Sequence, residues 1–552
     1  MKTVVQHVLS RLNDIGVEHV FGVPGDFAFS VNDAIVAHPE IQWIGCSNEL
    51  NAAYAADGYA RVAGVGAICT TFGVGELSAN AGVAGSYAEK LPIFHLVGMP
   101  SVATQASGAL VHHTLGDGNF DVFRQMADAI VCASAVMTPE NVVAETERLI
   151  AAALYHRRPV YMAFPSDLAD KPALDLRSQI PTSASDPAML TAAVSGIIAG
   201  LKAAKTACVL PGILCARLAL ERTMTEVIEA TNLPFATMFG DKAVLDEQHP
   251  SYIGMYAGRM MNEDVRAFVE SRDCVLMVGT EMNDFNTAAF TSRLNPQCLI
   301  TISHHETKID GRVFPSVEIE DLLHELARKA PRFADQPHPA VRKAVVPLPS
   351  GGVIKAGFFY PRFESFLRDG DIVVAEAGTV SMGMAFAHLP KGAAFLNQTL
   401  WNAIGWATPA AFGAAIAAPD RRVVLFTGEG SHQLTAQEVG QFARYGRRPV
   451  IFILNNGGYL IERLLCREPQ IEYNDLAQWH YAELPRALGC DDWHTVRVET
   501  EQDLDKELGA IGSSNTASYV EIVTPPDEAS PFALKIHENI ASLYGSGVEQ
   551  HA

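Results

Sequence analysis

Arg421-Arg-Val-Val-Leu-Phe-Thr427, Gly428-Glu-Gly-Ser431, Pro449-Val-Ile-Phe-Ile-Leu454 and Asn455-Asn-Gly-Gly-Tyr-Leu-Ile-Glu462 are the stretches whose reading decides this fold. The two apolar, β-branched runs read as buried parallel strands. Gly428 to Ser431 make the turn after the first. Gly430 lets the backbone approach a ligand, and Ser431 is expected to cap the next helix. Gln433 to Tyr445 has helical spacing, with Leu434, Val439 and Phe442 apolar. Asn455-Asn456 falls at the carboxyl end of the second strand, where open α/β sheets bind ligands. Glu429 and Asn456 are therefore expected at neighbouring strand tips. A carboxylate and an amide oxygen are hard ligands suited to Mg²⁺ carrying a diphosphate. The plainer alternative is a glycine turn in a doubly wound sheet.

Working outward, the rest of the chain repeats this alternation. Residues 1–180 hold strand-like runs at His19–Gly22, Ile41–Gly45, Gly66–Thr71, Pro92–Gly98 and Pro159–Phe164, with helical stretches between them. A Ser/Pro-rich linker near Pro172 to Pro187 precedes a second unit, 188–340, with strands at Ala207–Pro211, Cys274–Gly279 and Cys298–Ser303. A Pro-rich bridge from Pro331 to Gly352 leads to the third unit, 353–552. The fold class is thus α/β, with three doubly wound parallel-sheet domains.

The chain has 552 residues, 48% of them hydrophobic and 19% charged, a core-rich globular balance. A formal net charge of −21 argues against nucleic acid and anionic membrane surfaces as partners. Nine cysteines without a C-x-x-C pair read as reduced core thiols. Met1 to His7 begins an amphipathic helix rather than a leader, and no apolar run is long enough to span a membrane. The expectation is a cytoplasmic protein.

Several residues carry chemistry-bearing patterns. Glu49 follows Ser47-Asn48, a helix-capping pair, so it falls in a first helical turn, where acidic residues are also favoured for ordinary reasons. Asp26 follows a strand and the turn Gly22-Val-Pro-Gly25, and ordinary turn chemistry would also place it there. His112-His113 can serve as acid and base near neutral pH. The chain holds a second pair, His304-His305, and spacing alone does not separate the two. Glu462 comes six residues after Asn456 and is expected as a partly buried carboxyl.

These motifs together resemble the thiamine diphosphate (ThDP)-dependent 2-keto acid decarboxylases, the pyruvate, indolepyruvate, phenylpyruvate and branched-chain keto acid enzymes. The family signature is Gly-Asp-Gly, a spacer, then Asn-Asn. Here 24 residues, 431–454, separate Gly430 from Asn455, and Glu429 stands where Asp is usual. Leu110-Val-His-His-Thr-Leu-Gly-Asp-Gly118 matches the family around the first His pair, and nothing matches around the second. Phe27 stands for the usual Tyr, Leu460 for Thr and Asn402 for Gly.

The resemblance implies a pyrimidine domain, a middle domain and a diphosphate domain in that order. It also implies Glu49 as activator of the aminopyrimidine, with Asp26, His112, His113 and Glu462 as proton-handling groups. Contacts to the cofactor fall to Glu49, Thr71, Ala377, Asn402, Ile404 and Gly428, together with Gly430, Ser431, Asn456, Gly458 and Tyr459. Mg²⁺ falls to Glu429, Asn456 and Gly458. The segment Ala375–Gly383 carries small and flexible residues. Phe285, Ser381, Met382, Ile461 and Leu465 are therefore expected to line a pocket for an aryl or branched 2-keto acid. Plain pyruvate decarboxylation and a carboligase of the acetolactate synthase type are the alternatives. The family builds each site between subunits, which implies a homodimer or homotetramer.

Overall fold

The structure is a computed structural model that describes residues 2–539 apart from 175, 177, 178 and 181. The first sheet comprises β1 (His19–Gly22), β2 (Gln42–Gly45), β3 (Gly66–Thr71), β4 (Ile93–Met99), β5 (Ala133–Val136) and β6 (Val160–Pro165). Its order is β2-β1-β3-β4-β6-β5, parallel throughout. Helix α1 (Glu49–Ala63) leaves the tip of β2, capped by Asn48, whose side chain accepts from the Asn51 amide.

The second sheet holds β7 (Ala207–Pro211), β8 (Phe235–Thr237), β9 (Tyr252–Met255), β10 (Cys274–Val278), β11 (Leu299–Ile302), β12 (Glu306–Ile309) and β13 (Arg312–Pro315), in the order β9-β8-β7-β10-β11-β12-β13. β12 and β13 form an antiparallel hairpin added to the parallel edge. Its turn is Asp310-Gly311, with φ of 49° and 77°. Both central residues have positive φ, as primed hairpin turns require.

The third sheet comprises β14 (Ile372–Ala375), β15 (Ala394–Leu396), β16 (Val423–Gly428), β17 (Val450–Asn455), β18 (His494–Val498) and β19 (Ser518–Val523). It is parallel in the order β15-β14-β16-β17-β19-β18. This unit carries α2 (Thr379–Met384), α3 (Ala407–Ala417), α4 (Glu429–Thr435), α5 (Val439–Arg444), α6 (Leu460–Leu465) and α7 (Pro531–Glu538). The helix expected over 433–445 is broken in two, with a 3-10 turn at Ala436–Glu438 between α4 and α5. α4 begins at Glu429, because Gly428 is the last extended residue and serves as its cap. Ser431 lies inside α4 and does not cap it, a correction to the sequence reading.

Helices α1 and α3 lock the first unit to the third. Both are rich in Ala and Gly, and α3 is buried from Ala407 through Ile416. A Cβ added to Gly58 would meet the Ala410 oxygen at 2.1 Å, and one on Gly413 would meet the Ala55 oxygen at 1.8 Å. Only glycine permits this approach. Buried Asp57 ties the joint together. Its Oδ1 accepts from Arg61 Nε at 2.7 Å and from Trp406 Nε1 at 2.9 Å, and its Oδ2 accepts from Ser86 Oγ at 2.9 Å. The nine cysteines are all free. Among the described residues no helix is long and apolar enough to cross a membrane.

Candidate active site

In both six-stranded sheets the chain turns one way from the first strand and the other way from the third. The crevice at this switch point, outside the strand tips, is where open α/β sheets take ligands. In the first sheet it lies between β1 and β3, and in the third between β14 and β16.

The first crevice gathers Asp26, Thr71, Glu49 and the His112-His113 loop. Gly25 packs directly on Thr71, so that a Cβ there would meet the Thr71 Cβ at 2.4 Å. A Cβ on Gly75 would lie 3.1 Å from Thr71 Cγ2 and 3.2 Å from Glu49 Oε1, which puts Thr71 and Glu49 on one wall. Thr71 Oγ1 is buried without a hydrogen-bond partner among the described residues. His112 Nε2 and Asp26 Oδ2 are 2.8 Å apart. Partial desolvation works to raise the Asp26 carboxyl, but the hydrogen bond and charge of His112 outweigh it and hold the group below the usual carboxylate range.

Phe27 stacks on His112, with ring centroids 4.8 Å apart, and meets His113 edge-on at 5.9 Å. His113 itself has a φ of 64°. That is an uncommon backbone state for a residue other than glycine, and such strain clusters at functional sites. Its carbonyl rests on Gly73, where a Cβ would meet it at 2.0 Å. Gly73 is fixed in turn by Glu76, whose Oε1 accepts from the Gly73 amide at 2.8 Å while its Oε2 accepts from Tyr161. Burial pushes the Glu76 carboxyl up to about 7.

The second crevice gathers Glu429, Asn456 and Gly458. Glu429 is 1% exposed, and its Oε1 accepts from the amides of Asn456 at 3.0 Å and Gly458 at 2.9 Å. Burial pushes this carboxyl up to about 7 against the pull of those amides. Asn456 Oδ1 is buried without a hydrogen-bond partner among the described residues. Gly430 lies under the Tyr459 ring, where a Cβ would come within 2.6 Å of Cε1. Gly428, Ser431 and Ala377 border the same tips.

Asn402 has a φ of 54°, a left-handed backbone state that asparagine adopts more readily than most residues. Two residues on, Ile404 is 37% exposed. Glu462, at the start of α6, is exposed within a single chain, so the expected partial burial is not met there. Phe285, Met382, Ile461 and Leu465 join one apolar cluster with Phe239 and Phe532. Ser381 is buried, and its hydroxyl donates to the Gly378 oxygen at 3.0 Å.

The sequence reading missed several supports. Arg463 is buried and donates to the carbonyls of Asn456 at 3.3 Å and Gly457 at 3.0 Å, holding the loop from behind. Its signal was an arginine inside the apolar run Leu460–Leu465. Glu376 is fully buried at the β14 tip, accepts from the Ala377 amide at 3.0 Å, and is pushed up to about 8 by burial.

The second histidine pair does something else. His305 Nδ1 lies 2.7 Å from Glu318, and its Nε2 lies 2.8 Å from the Tyr155 oxygen. Its ring stacks on Tyr155 at 3.9 Å and on His304 at 3.8 Å. Burial, then the neighbouring cations, push His304 down to about 3. This pair joins the first and second units.

Among the described residues, no hydrogen bond, ion pair or ring contact joins Asp26, Glu49, His112 or His113 to Glu429, Asn456 or Glu462.

The chain matches three domain families of thiamine pyrophosphate enzymes, thiamine pyrophosphate being another name for ThDP. These are the N-terminal TPP-binding domain at residues 2–121, the central domain at 194–328 and the C-terminal TPP-binding domain at 376–522. It is 38% identical over 533 residues to an alpha-keto-acid decarboxylase of Mycolicibacterium paratuberculosis, covering 95% of this chain and 94% of that one. It is 38% identical over 518 residues to a pyruvate decarboxylase of Kluyveromyces lactis, covering 91% and 92%. An X-ray structure from Mycobacterium smegmatis, assigned to the thiamin diphosphate-dependent enzymes, shares the fold with a TM-score of 0.77 at 22% identity, covering 95% of this chain and 99% of that one. With twin crevices on two parallel sheets and this likeness along nearly its whole length, the chain belongs to the ThDP-dependent 2-keto acid decarboxylases.

Proposed function

We propose that this decarboxylase prefers 2-keto acids with a large apolar side chain, such as phenylpyruvate, indolepyruvate and the branched-chain keto acids, and releases the aldehyde and CO2. The apolar cluster around Phe285, Met382, Ile461 and Leu465 carries the reading. Phe239 brings a second ring 5.2 Å from Phe285, and Phe532 a third 5.8 Å from Phe239. The likeness to pyruvate decarboxylases favours pyruvate as the second reading. Initial rates over a panel of keto acids, with ThDP and Mg²⁺ supplied, test the choice. At least tenfold higher kcat/KM for phenylpyruvate than for pyruvate is expected, and a preference for pyruvate would overturn it. A hydroxyketone in place of the aldehyde would mark a carboligase.

The residues fit the cofactor. Asn456 Oδ1 is an acceptor in want of a cation, Glu429 is a carboxylate beside it, and Gly430 keeps the cradle open. Glu429, Asn456 and Gly458 would hold Mg²⁺, and Gly428, Ser431 and Tyr459 would border the diphosphate. Glu49 and Thr71 would take the aminopyrimidine, with Ala377, Asn402 and Ile404 between the two ends. Bound ThDP supplies the electron sink that decarboxylation requires. The chain supplies orientation, exclusion of water and proton transfer. Asp26 and His112 share one hydrogen bond and can pass a proton between Oδ2 and Nε2. His113 and Glu462 complete the acid–base set around the departing product.

Among the described residues, no hydrogen bond or ion pair joins Glu49 to Glu462 within one chain. The reading therefore includes a homodimer, alone or paired into a tetramer, in which the first crevice of one subunit closes on the third-sheet crevice of its partner.

A further inference from the structure

Helix α1 does not set the aim of Glu49 alone. The turn that delivers it, residues 45–51, is docked on the segment that follows the metal-side carboxylate of the same chain. Glu438 ends the 3-10 turn after α4 and is 0% exposed. Its Oε2 accepts from the Ser47 amide at 3.2 Å and from Asn51 Nδ2 at 2.8 Å, two residues before and two residues after Glu49. Around this clamp, Ser47 Oγ donates to the Gln437 oxygen at 3.3 Å, and the Gly45 amide donates to the Tyr445 hydroxyl at 2.7 Å. The carboxylate also faces the amino end of α1, where the helix dipole favours negative charge. Upstream in the same segment, Thr435 Oγ1 donates to the Gly405 oxygen at 2.7 Å, beside Ile404.

Ten consecutive residues, 429–438, thus begin at the proposed metal carboxylate, hold the Ile404 loop in the middle and end on the activator's turn. Nothing about the cradle requires a buried carboxylate at 438, whereas the two hydrogen bonds that bracket Glu49 use one oxygen of it. Its other oxygen, Oε1, is buried without a hydrogen-bond partner among the described residues, so burying this group carries a cost that the clamp must offset.

We propose that Glu438 is a positioning residue for the decarboxylation: it holds the first turn of α1 so that Glu49 points into the cofactor site. The inference rests on the reading of Glu49 as activator. The test compares Glu438→Ala, Glu438→Gln and Asn51→Ala with the wild-type enzyme. Amide hydrogen exchange of residues 45–52 is followed in the cofactor-free protein, and kcat and KM are measured in the loaded enzyme. Glu438→Ala is expected to speed exchange in 45–52 at least fivefold and to lower kcat at least tenfold, with KM changed less than threefold. Glu438→Gln keeps an oxygen that accepts both hydrogen bonds and should recover at least a third of wild-type kcat. Asn51→Ala removes the stronger bond from the other side and should reproduce the exchange change even if Glu438→Ala fails to fold. Unchanged exchange at 45–52 in Glu438→Ala or in Asn51→Ala, or a Gln variant no better than the Ala variant, would overturn the proposal. A wild-type chain with normal exchange at 45–52 that takes up no ThDP would instead overturn the reading of Glu49.

Discussion

The first and third sheets have the same strand order and the same switch-point crevice, yet they hold opposite chemistry. The first crevice is open and built from titratable side chains. Asp26 and His112 are exposed, His113 is held in a left-handed conformation, and Phe27 braces both rings. The third crevice is closed and built from backbone. Glu429 is buried on two amides, and Arg463 grips the carbonyls behind Asn456. One architecture can therefore present exposed titratable side chains or a buried carboxylate braced by backbone amides, according to which side chains follow the strands.

The comparison breaks most severely at the joint between the two units. Gly413→Val would drive a side chain into the Ala55 carbonyl. A loss of stability of about 3 kcal/mol or more is expected, at the upper end of overpacking, read as a fall in the midpoint of thermal unfolding. The same substitution at Gly446, which has open space around it but a φ of 64°, should cost less.

The two histidine pairs sharpen the comparison next. His113→Ala should lower kcat by roughly 100-fold or more, the scale of a lost acid–base group, with the fold intact. His305→Ala should leave kcat within about threefold and instead loosen the contact of the first unit with the second, read as a lower unfolding midpoint, because it removes the Glu318 and Tyr155 hydrogen bonds.

A smaller effect is expected from Glu76, which supports the open crevice. Its carboxyl titrates near 7 in the folded protein, above the 4.5 of an ordinary glutamate. The stability it lends in its protonated form is complete below 4.5 and is lost as pH rises through 7. Glu76→Gln keeps an acceptor for the Gly73 amide and does not titrate. Its stability relative to wild type should rise between pH 5 and 8, by on the order of 1–3 kcal/mol. A constant difference across that range would remove Glu76 from the account.

Much of this was legible in the sequence, for physical reasons. Buried parallel strands are continuous apolar runs, so β3, β4, β16 and β17 announced themselves within a residue or so. Short edge strands such as β5, β9, β15 and β18 carry little such signal and went unread, and the β12–β13 hairpin was missed although Asp310-Gly311 marks its turn. Glu429, Asn456 and the His112-His113 loop were found because a motif ties them to strand tips. The supports were not found, because Glu76, Glu376, Glu438 and Arg463 act through partners distant in sequence or through backbone groups that leave no pattern. Ser431 shows the converse error, since residue type suggested a cap while the backbone path placed it inside a helix.

The central claim is that each site unites the first crevice of one subunit with the third-sheet crevice of another. The direct test is subunit complementation between Glu49→Gln and Glu462→Gln, each expected to be nearly inactive alone. After the two are mixed and subunits exchanged, mixed dimers contain one intact site, and about a quarter of wild-type turnover should return. No recovery, with exchange verified by mass spectrometry of the mixed dimer, would place Glu49 and Glu462 in the same subunit's site and contradict the account.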